Sequence, residues 1–360
     1  MLGTSNQVES SFGRIGISME LELPRVSVLL PCFNAEVMLE EALKSISSQT
    51  LIDFEVVIIN DGCTDTSLDI INCWTDNDPR FKVFTQPHLG IVTALNHGLT
   101  HCSAPYIARM DSDDRCYPER LARQAAYLDS HPQVALVSCQ VAGFPCEQVR
   151  PGFQIYVDWQ NGLIEDSAIR RELFVESPFV HPSVMYRRNL VQALGGYQDH
   201  GWPEDYDLWL RMYLAGASFA RIPEILLDWR DHPERLTRTD TRYSVENFIR
   251  AKVNYLVQGP LVDRGAIIIW GAGMAGKRLS KHLQREGAPL VGFIDVDPDK
   301  IGGKRHGLPI AAADQLLQWW STLPAPVLLV AVRARGAREI IRKQLNQRNL
   351  VEGRDWWSVA

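Results

Sequence analysis

The 360-residue chain has room for more than one hydrophobic core, and the usual size of a domain makes two the working count. Hydrophobic residues at 46% and charged residues at 22% are ordinary for a globular protein, which excludes a disordered or fibrous chain. The net charge of -6 is unevenly placed: residues 264–360 hold 15 Lys and Arg against 8 Asp and Glu, leaving 22 and 35 for the rest.

The two parts therefore differ in sign, and the basic end suits an anionic ligand, an acidic neighbour, a membrane surface or simply a solvated face. No nucleic-acid partner is expected. The cysteines at 32, 63, 73, 102, 116, 139 and 146 show no close C-x-x-C pair and no zinc spacing, which fits reduced thiols. No stretch approaches the roughly 18 continuous apolar residues that a membrane-spanning helix needs. Residues 1–24 lack a signal peptide's charged start and apolar core and read as a flexible leader. A cytoplasmic location is expected, with peripheral contact at the inner face of the membrane as a further option.

In chain order, Arg25 to Pro31 is a short apolar, β-branched run that predicts a buried strand, and Leu39, Ala42, Leu43 and Ile46 recur at helical spacing after it. Phe54 to Ile59 predicts a second strand, closed by Asn60-Asp-Gly62. A helix through Leu68, Ile70 and Ile71 follows, then a strand at Phe81 to Phe84, a helix at Ile91 to Leu99 and a strand at Tyr106 to Met110. This alternation implies βαβ units and a mainly parallel sheet, with ligands gathering beyond the carboxyl ends of its strands. The polar clusters Pro31-Cys-Phe-Asn34, Asn60-Asp-Gly62 and Asp111-Ser-Asp-Asp114 all fall there.

From Val134 to Trp229 the pattern is irregular, with strands expected at Ala135 to Ser138 and Ser183 to Tyr186 and a helix at Tyr206 to Ala215. Val245 to Val257 is amphipathic, better suited to packing against a domain than to lying on a membrane. Gly259-Pro260 breaks the chain before a new α/β pattern. The expected division is a leader over 1–24, a first domain over 25–240, a helical linker over 241–263 and a second domain over 264–360.

Asp111, Asp113 and Asp114 crowd three carboxylates behind one strand, where they repel unless a cation or strong donors compensate. Hard divalent cations take such oxygen ligands and are often completed by a substrate diphosphate. A solvated acidic turn leading into a helix near Pro118 is the competing reading, and the motif alone does not separate the two.

Four segments occur in order: Pro31-Cys-Phe-Asn34, Glu55 to Asp65, Ala108-Arg-Met-Asp-Ser-Asp-Asp114, and Trp202-Pro-Glu-Asp-Tyr-Asp-Leu-Trp-Leu-Arg211. Together they resemble family 2 of the inverting glycosyltransferases, over about Arg25 to Arg238. The resemblance implies a GT-A fold and transfer of a sugar from a nucleotide-diphosphate sugar to a hydroxyl of a glycan or lipid-linked acceptor, in cell-surface glycan assembly. It implies Mn2+ or Mg2+ at Asp111 and Asp113, with His181 as a further ligand; His232 is the alternative histidine. Donor contacts are expected from Pro31, Phe33, Asn34, Glu55, Asp61, Arg109, Asp111, Ser112 and Asp113, with Asp61 reading the base and ribose. Asp205 is expected as catalytic base, assisted by Glu204; both residues also suit the first turn of a helix. Arg211 and Arg230 suit phosphate or an ion pair. The Q-x-x-R-W signature of processive synthases is absent, which favours a single addition.

Ala266 to Trp270, Gly271-Ala-Gly-Met-Ala-Gly276, a helix through Leu279 and Leu283, and Leu290 to Asp295 follow the order of a dinucleotide-binding unit. The expected fold class is therefore α/β throughout, with a GT-A domain followed by a smaller Rossmann-like domain. Gly271, Gly273, Gly276 and Asp295 are its candidate contacts to a dinucleotide or other nucleotide; glycines serving only close helix packing are the alternative. An NAD-linked oxidoreductase and a non-catalytic sugar-nucleotide-binding regulator are the rival functions.

Overall fold

The computed structural model describes residues 23–360, so all of the expected leader except Leu23 and Pro24 lies outside the described residues. The first sheet contains β1 (Val26–Cys32), β2 (Phe54–Asn60), β3 (Phe81–Thr85), β4 (Tyr106–Arg109), β5 (Arg115–Cys116), β6 (Val134–Phe144), β7 (Met185–Arg187) and β8 (Ser218–Arg230). Their order is β3-β2-β1-β4-β7-β6-β8-β5. The strands β3, β2, β1 and β4 run parallel, whereas β7 lies antiparallel to both β4 and β6. Every residue of β1 and β2 is buried, as expected for continuous apolar runs covered on both faces.

Alternate residues of those strands feed two apolar layers. Val26, Val28 and Leu30 pack with Leu39, Leu43 and Ile46 of the helix Leu39–Ser47. Leu29, Val57 and Ile59 pack with Leu95 and Leu99 of the helix Ile91–His101.

Strand β8 is the main departure from the sequence reading, which leaves residues 187–229 without a strand. Its 13 residues include Pro223 and Glu224, and its pairing with β6 shifts register near Cys139 and Gln140, so no alternating pattern survives. Parallel pairing to a buried neighbour determines it instead.

The second sheet holds β9 (Ala266–Trp270), β10 (Leu290–Asp295), β11 (Lys304–Arg305), β12 (Leu308–Ala312), β13 (Pro326–Val330) and β14 (Trp356–Ser358). Its order is β11-β12-β10-β9-β13-β14, parallel apart from the short β11. Leaving β11 aside, the strands stand third, second, first, fourth, fifth, the order of doubly wound sheets.

The helix Val245–Gln258 joins the two sheets, burying Ile249, Ala251, Lys252, Val253, Tyr255 and Leu256. One apolar core runs without a break from Leu29 through Trp209 and Leu256 to Ile269, Phe293 and Val359. Trp356 and Trp357 are buried packing residues. Among the described residues no helix is long and apolar enough to cross a membrane.

Candidate active site

A cleft of about 910 Å³ opens at the carboxyl ends of β1, β2 and β4. Its lining includes Pro31, Phe33, Asn34, Asp61, Arg109 and Asp111 to Asp113, and further along Glu204, Asp205 and His181. Each of these follows or ends a buried strand or opens a helix, so rigid elements fix their positions.

Glu55 is not part of it, and this corrects the sequence reading. It stands at the second position of β2, at the end of the strand remote from Asn60 and Asp61. There it is buried and accepts hydrogen bonds from Ser27 Oγ at 2.6 Å, Ser103 N at 2.7 Å and Lys82 Nζ at 2.8 Å. Burial opposes its charge, but Lys82, Ser27 and Ser103 hold its carboxyl down to about 2. Glu55 is a structural anion.

Asp61 is buried at the cleft's far end. Its Oδ1 accepts from Gln86 Nε2 at 2.7 Å and Leu89 N at 3.0 Å, and its Oδ2 from Gly90 N at 3.0 Å, with His88 Nδ1 at 2.9 Å. These contacts engage both oxygens, so a base or ribose reaches Asp61 only if the half-exposed His88 ring gives way. That ring stacks on Phe33 at 3.7 Å between centroids, making an aromatic surface on the cleft wall beside Asp61. Nothing in residues 85–90 marked His88 beforehand.

Asp111, Asp113 and Asp114 bring one carboxylate oxygen each within 4.8 Å of one another. Arg109, buried at the end of β4, places Nη2 at 2.6 Å from Asp111 Oδ1. Burial nevertheless raises the Asp111 carboxyl, with Arg109 opposing and Asp113 adding to the rise. Asp113 is held low despite burial, because His232 Nε2 lies 2.8 Å from its Oδ2 and Arg235 adds positive charge. Burial and its two acidic neighbours push Asp114 well up. One of its oxygens accepts from Arg230 N at 2.7 Å, and the other is buried without a partner among the described residues. Three crowded carboxyl groups, one of them with an oxygen that has no partner among the described residues, suit a hard divalent cation.

His181 is a second correction. Its Nε2 lies 2.8 Å from the Tyr197 hydroxyl, and its ring packs edge-on to Trp209. Burial and then Arg109 draw its pKa well below the usual value, keeping it neutral. The histidine that meets the acidic group is His232, carried just past β8, the strand that periodicity did not reveal. Arg230, in β8, is tied to this centre too: its Nε donates to the Asp113 carbonyl at 2.6 Å and its guanidinium pairs with Glu41. Arg211 instead pairs with Asp207 within its own helix, at 2.7 Å. Arg235 went unnoticed in the sequence. It lines the cleft with its guanidinium stacked 4.1 Å over Trp229 and no anionic partner among the described residues.

Glu204 and Asp205 open the helix Glu204–Leu214. Glu204 is buried and accepts from the Tyr243 hydroxyl at 2.8 and 3.0 Å. Asp205 accepts from Tyr206 N at 2.6 Å. Burial and then the Glu204 charge push Asp205 up to about 8, against Arg109 and the Tyr206 amide. A carboxylate raised toward neutrality is a better proton acceptor than an ordinary one.

In the second sheet's domain, Gly271 and Gly276 meet face to face: a Cβ on Gly276 would lie 1.9 Å from the Gly271 carbonyl oxygen. Asp295 Oδ2 accepts from Ala272 N at 2.7 Å and Oδ1 from Val296 N and Asp297 N at 2.8 and 3.0 Å. The acid thus secures the glycine turn from within, while the space over Gly273 is open.

Residues 27–195 match the Glycosyl transferase family 2 profile. The chain is similar to the amylovoran biosynthesis glycosyltransferase AmsE of Erwinia amylovora, 35% identical over 57% of this chain and 75% of that one. It is also similar to an Escherichia coli UDP-Gal:alpha-D-GlcNAc-diphosphoundecaprenol beta-1,3-galactosyltransferase, 30% identical over 61% and 79%. Among solved structures, S. aureus TarS 1–349 in complex with UDP-GlcNAc shares the fold at a TM-score of 0.55 and 19% identity, over 73% of this chain and 72% of that one. With the acidic cluster, Arg109 and the Glu204–Asp205 pair in one cleft, these likenesses identify the chain as an enzyme of glycosyltransferase family 2 with a GT-A fold.

Proposed function

We propose that this cleft moves a glycosyl group, with inversion, from a nucleotide-diphosphate sugar to a hydroxyl of a glycan or lipid-linked acceptor during assembly of a cell-surface polysaccharide. What supports the reading is the meeting in one cleft of the Asp111–Asp113 cluster and a raised Asp205, donated by elements far apart in the chain. Asp205 takes the proton of the attacking hydroxyl as its oxygen bonds to the anomeric carbon. The bond to the diphosphate breaks on the opposite face, and the diphosphate leaves with its electron pair. Asp111 and Asp113 would hold Mn2+ or Mg2+, which would neutralise that leaving charge when bound. Arg235, in no ion pair among the described residues and stacked on Trp229, is a second positive group for it. Asp61 with the Phe33–His88 pair is read as the nucleoside end.

The two sheets support reading residues 25–240 as the transferase domain and 264–360 as a separate unit. A nucleotide at Gly271, Gly273 and Gly276 is favoured by the open space over Gly273. It requires Asp295 to share a carboxylate that already accepts three amides. The rival oxidoreductase reading rests on that unit alone, and the family membership of residues 27–195 displaces it; the regulator reading keeps the same cleft without turnover, and nucleotide release separates it from the transferase.

Titrating the protein with UDP-, GDP- and dTDP-sugars plus Mn2+ or Mg2+, and following nucleotide release, tests the proposal. One donor class should bind and turn over, and Asp113→Ala should cut release at least a hundredfold with circular dichroism unchanged. Equal release by Asp113→Ala would discard it.

A further inference from the structure

The cleft does not end at the first domain. Past Asp205 its wall continues along the helix Val245–Gln258, where Val245, Phe248, Ile249 and Lys252 all line the cavity. The spacing i, i+3, i+4, i+7 puts them on one face of that helix. The one lining residue from the second sheet's domain is Arg333, three positions beyond the end of β13.

Arg333 occupies a special place in that sheet. The strand order reverses between β9 and β13, and open parallel sheets collect ligands at the carboxyl ends of the strands flanking such a reversal. Gly271 follows β9 there and abuts Ala331, since a Cβ on Gly271 would lie 2.8 Å from the Ala331 oxygen. The loop that leaves β13 at the ligand-collecting edge of the second sheet therefore reaches the cavity of the first through Arg333.

Charge makes the place specific. Lys252 is 2% exposed, and its ammonium donates to Val175 O at 2.5 Å and Val359 O at 3.4 Å, leaving one proton for another acceptor. Burial draws Lys252 down to about 8, with Glu176 opposing and Arg333 and Arg338 adding to the fall, so Arg333 is its electrostatic neighbour. Arg338 is occupied by Glu172 at 2.7 Å. Arg333 is exposed and has no hydrogen bond or ion pair among the described residues. Glu176, which also lines the cavity, is the acid whose charge acts on Lys252.

We propose that Lys252 and Arg333 form a subsite for a phosphate-class group on the acceptor, which makes the second domain part of the acceptor site. This rests on reading the cleft as the transferase site. Phosphate is the class that a guanidinium fork and an ammonium bind best together. It has two sources: a free sugar phosphate, or a phosphate joined to a hydrocarbon lying along Val245, Phe248 and Ile249.

The experiment measures calorimetric affinity on full-length protein saturated with Mn2+ and whichever nucleoside diphosphate binds. The probes are glucose 1-phosphate, decyl phosphate below micelle formation, and uncharged decyl glucoside. Decyl phosphate should bind at least tenfold tighter than decyl glucoside. Arg333→Ala should weaken it about tenfold, Arg333→Glu more, and Arg333→Lys should recover part, with nucleotide affinity as internal reference. Decyl phosphate far tighter than glucose 1-phosphate assigns the hydrocarbon-linked source, and parity the free one.

Lys252→Met removes bonds to two segments and risks the fold, so the decision lies with Arg333. The proposal is overturned if decyl phosphate binds no tighter than decyl glucoside, or if Arg333→Ala changes its affinity less than twofold. Failure of every nucleotide to bind sinks the donor-site reading instead, and the same probes on nucleotide-free protein then still decide the subsite.

Discussion

Asp205 and Glu204 are adjacent carboxylates in one buried setting, and their environments divide the work between them. Glu204 is held by the Tyr243 hydroxyl, while Asp205 has one backbone donor and an upward shift to about 8. A base must be ionised to act, so kcat/KM for the acceptor should rise with pH along an acid limb lying well above the usual 3.8 of an aspartate. Glu204→Gln removes a like charge and should move that limb to lower pH; an unmoved limb would separate the two residues. The same shift carries a stability cost with a definite sign. The folded state favours protonated Asp205, so ionisation destabilises it progressively from about pH 4 to about pH 8 and fully above that. Asp205→Asn keeps an acceptor for the Tyr206 amide. It should lower transfer by about 10² to 10⁴ and raise unfolding stability at pH 8 by about 1 kcal/mol, with no gain at pH 4 by thermal melts.

At the scale of elements, the glycine turn between β9 and the helix Met274–Arg285 offers a clean contrast. A methyl on Gly276 strikes a backbone oxygen that cannot step aside, whereas one on Gly273 meets nothing within 4 Å. Gly276→Ala should therefore destabilise by about 2 kcal/mol or more, and Gly273→Ala should stay within about 0.5 kcal/mol, measured by denaturant titration. The strand β8 shows how an element can carry the site without announcing itself. It delivers Trp229 and Arg230, and through them His232 and Arg235, to the cleft. Its Arg115–Asp228 and Arg230–Glu41 pairs brace that end against β5 and the helix Leu39–Ser47.

Across the whole molecule, the opposed charges of the two parts meet at Glu172. This buried acid accepts from Arg338 at 2.7 Å and Arg342 at 3.0 Å, and Lys252 joins Val175 to Val359 beside it. Removing Glu172 strips Arg338 of its ion pair, whereas Arg342 keeps Glu352 and Glu339. Glu172→Ala should cost about 2–3 kcal/mol of stability and broaden or split the calorimetric unfolding transition as the two sheets lose their coupling; a single unshifted transition would deny the contact that role. Raised salt should do less, because the pair is shielded from solvent.

The sequence by itself determined what local chemistry controls. Continuous apolar runs fixed β1, β2, β4 and β9, helical spacing fixed the helices after them, and the turn residues put Asp61, Asp111 and Gly271 at strand ends. The ordered motifs brought out Asp113 and Asp205 before any fold was seen. Tertiary structure decided what depends on direction and on partners. It tied Glu55, at the amino end of β2 and away from the carboxyl ends where the cleft opens, to Ser27, Lys82 and Ser103, because partners from other segments are set by packing. It gave His181 to Tyr197 and His232 to Asp113, because a lone histidine's neighbour is set by packing. It joined Arg333 to a cavity whose other walls lie at least 81 residues earlier in the chain, because contact between domains leaves no periodicity to read.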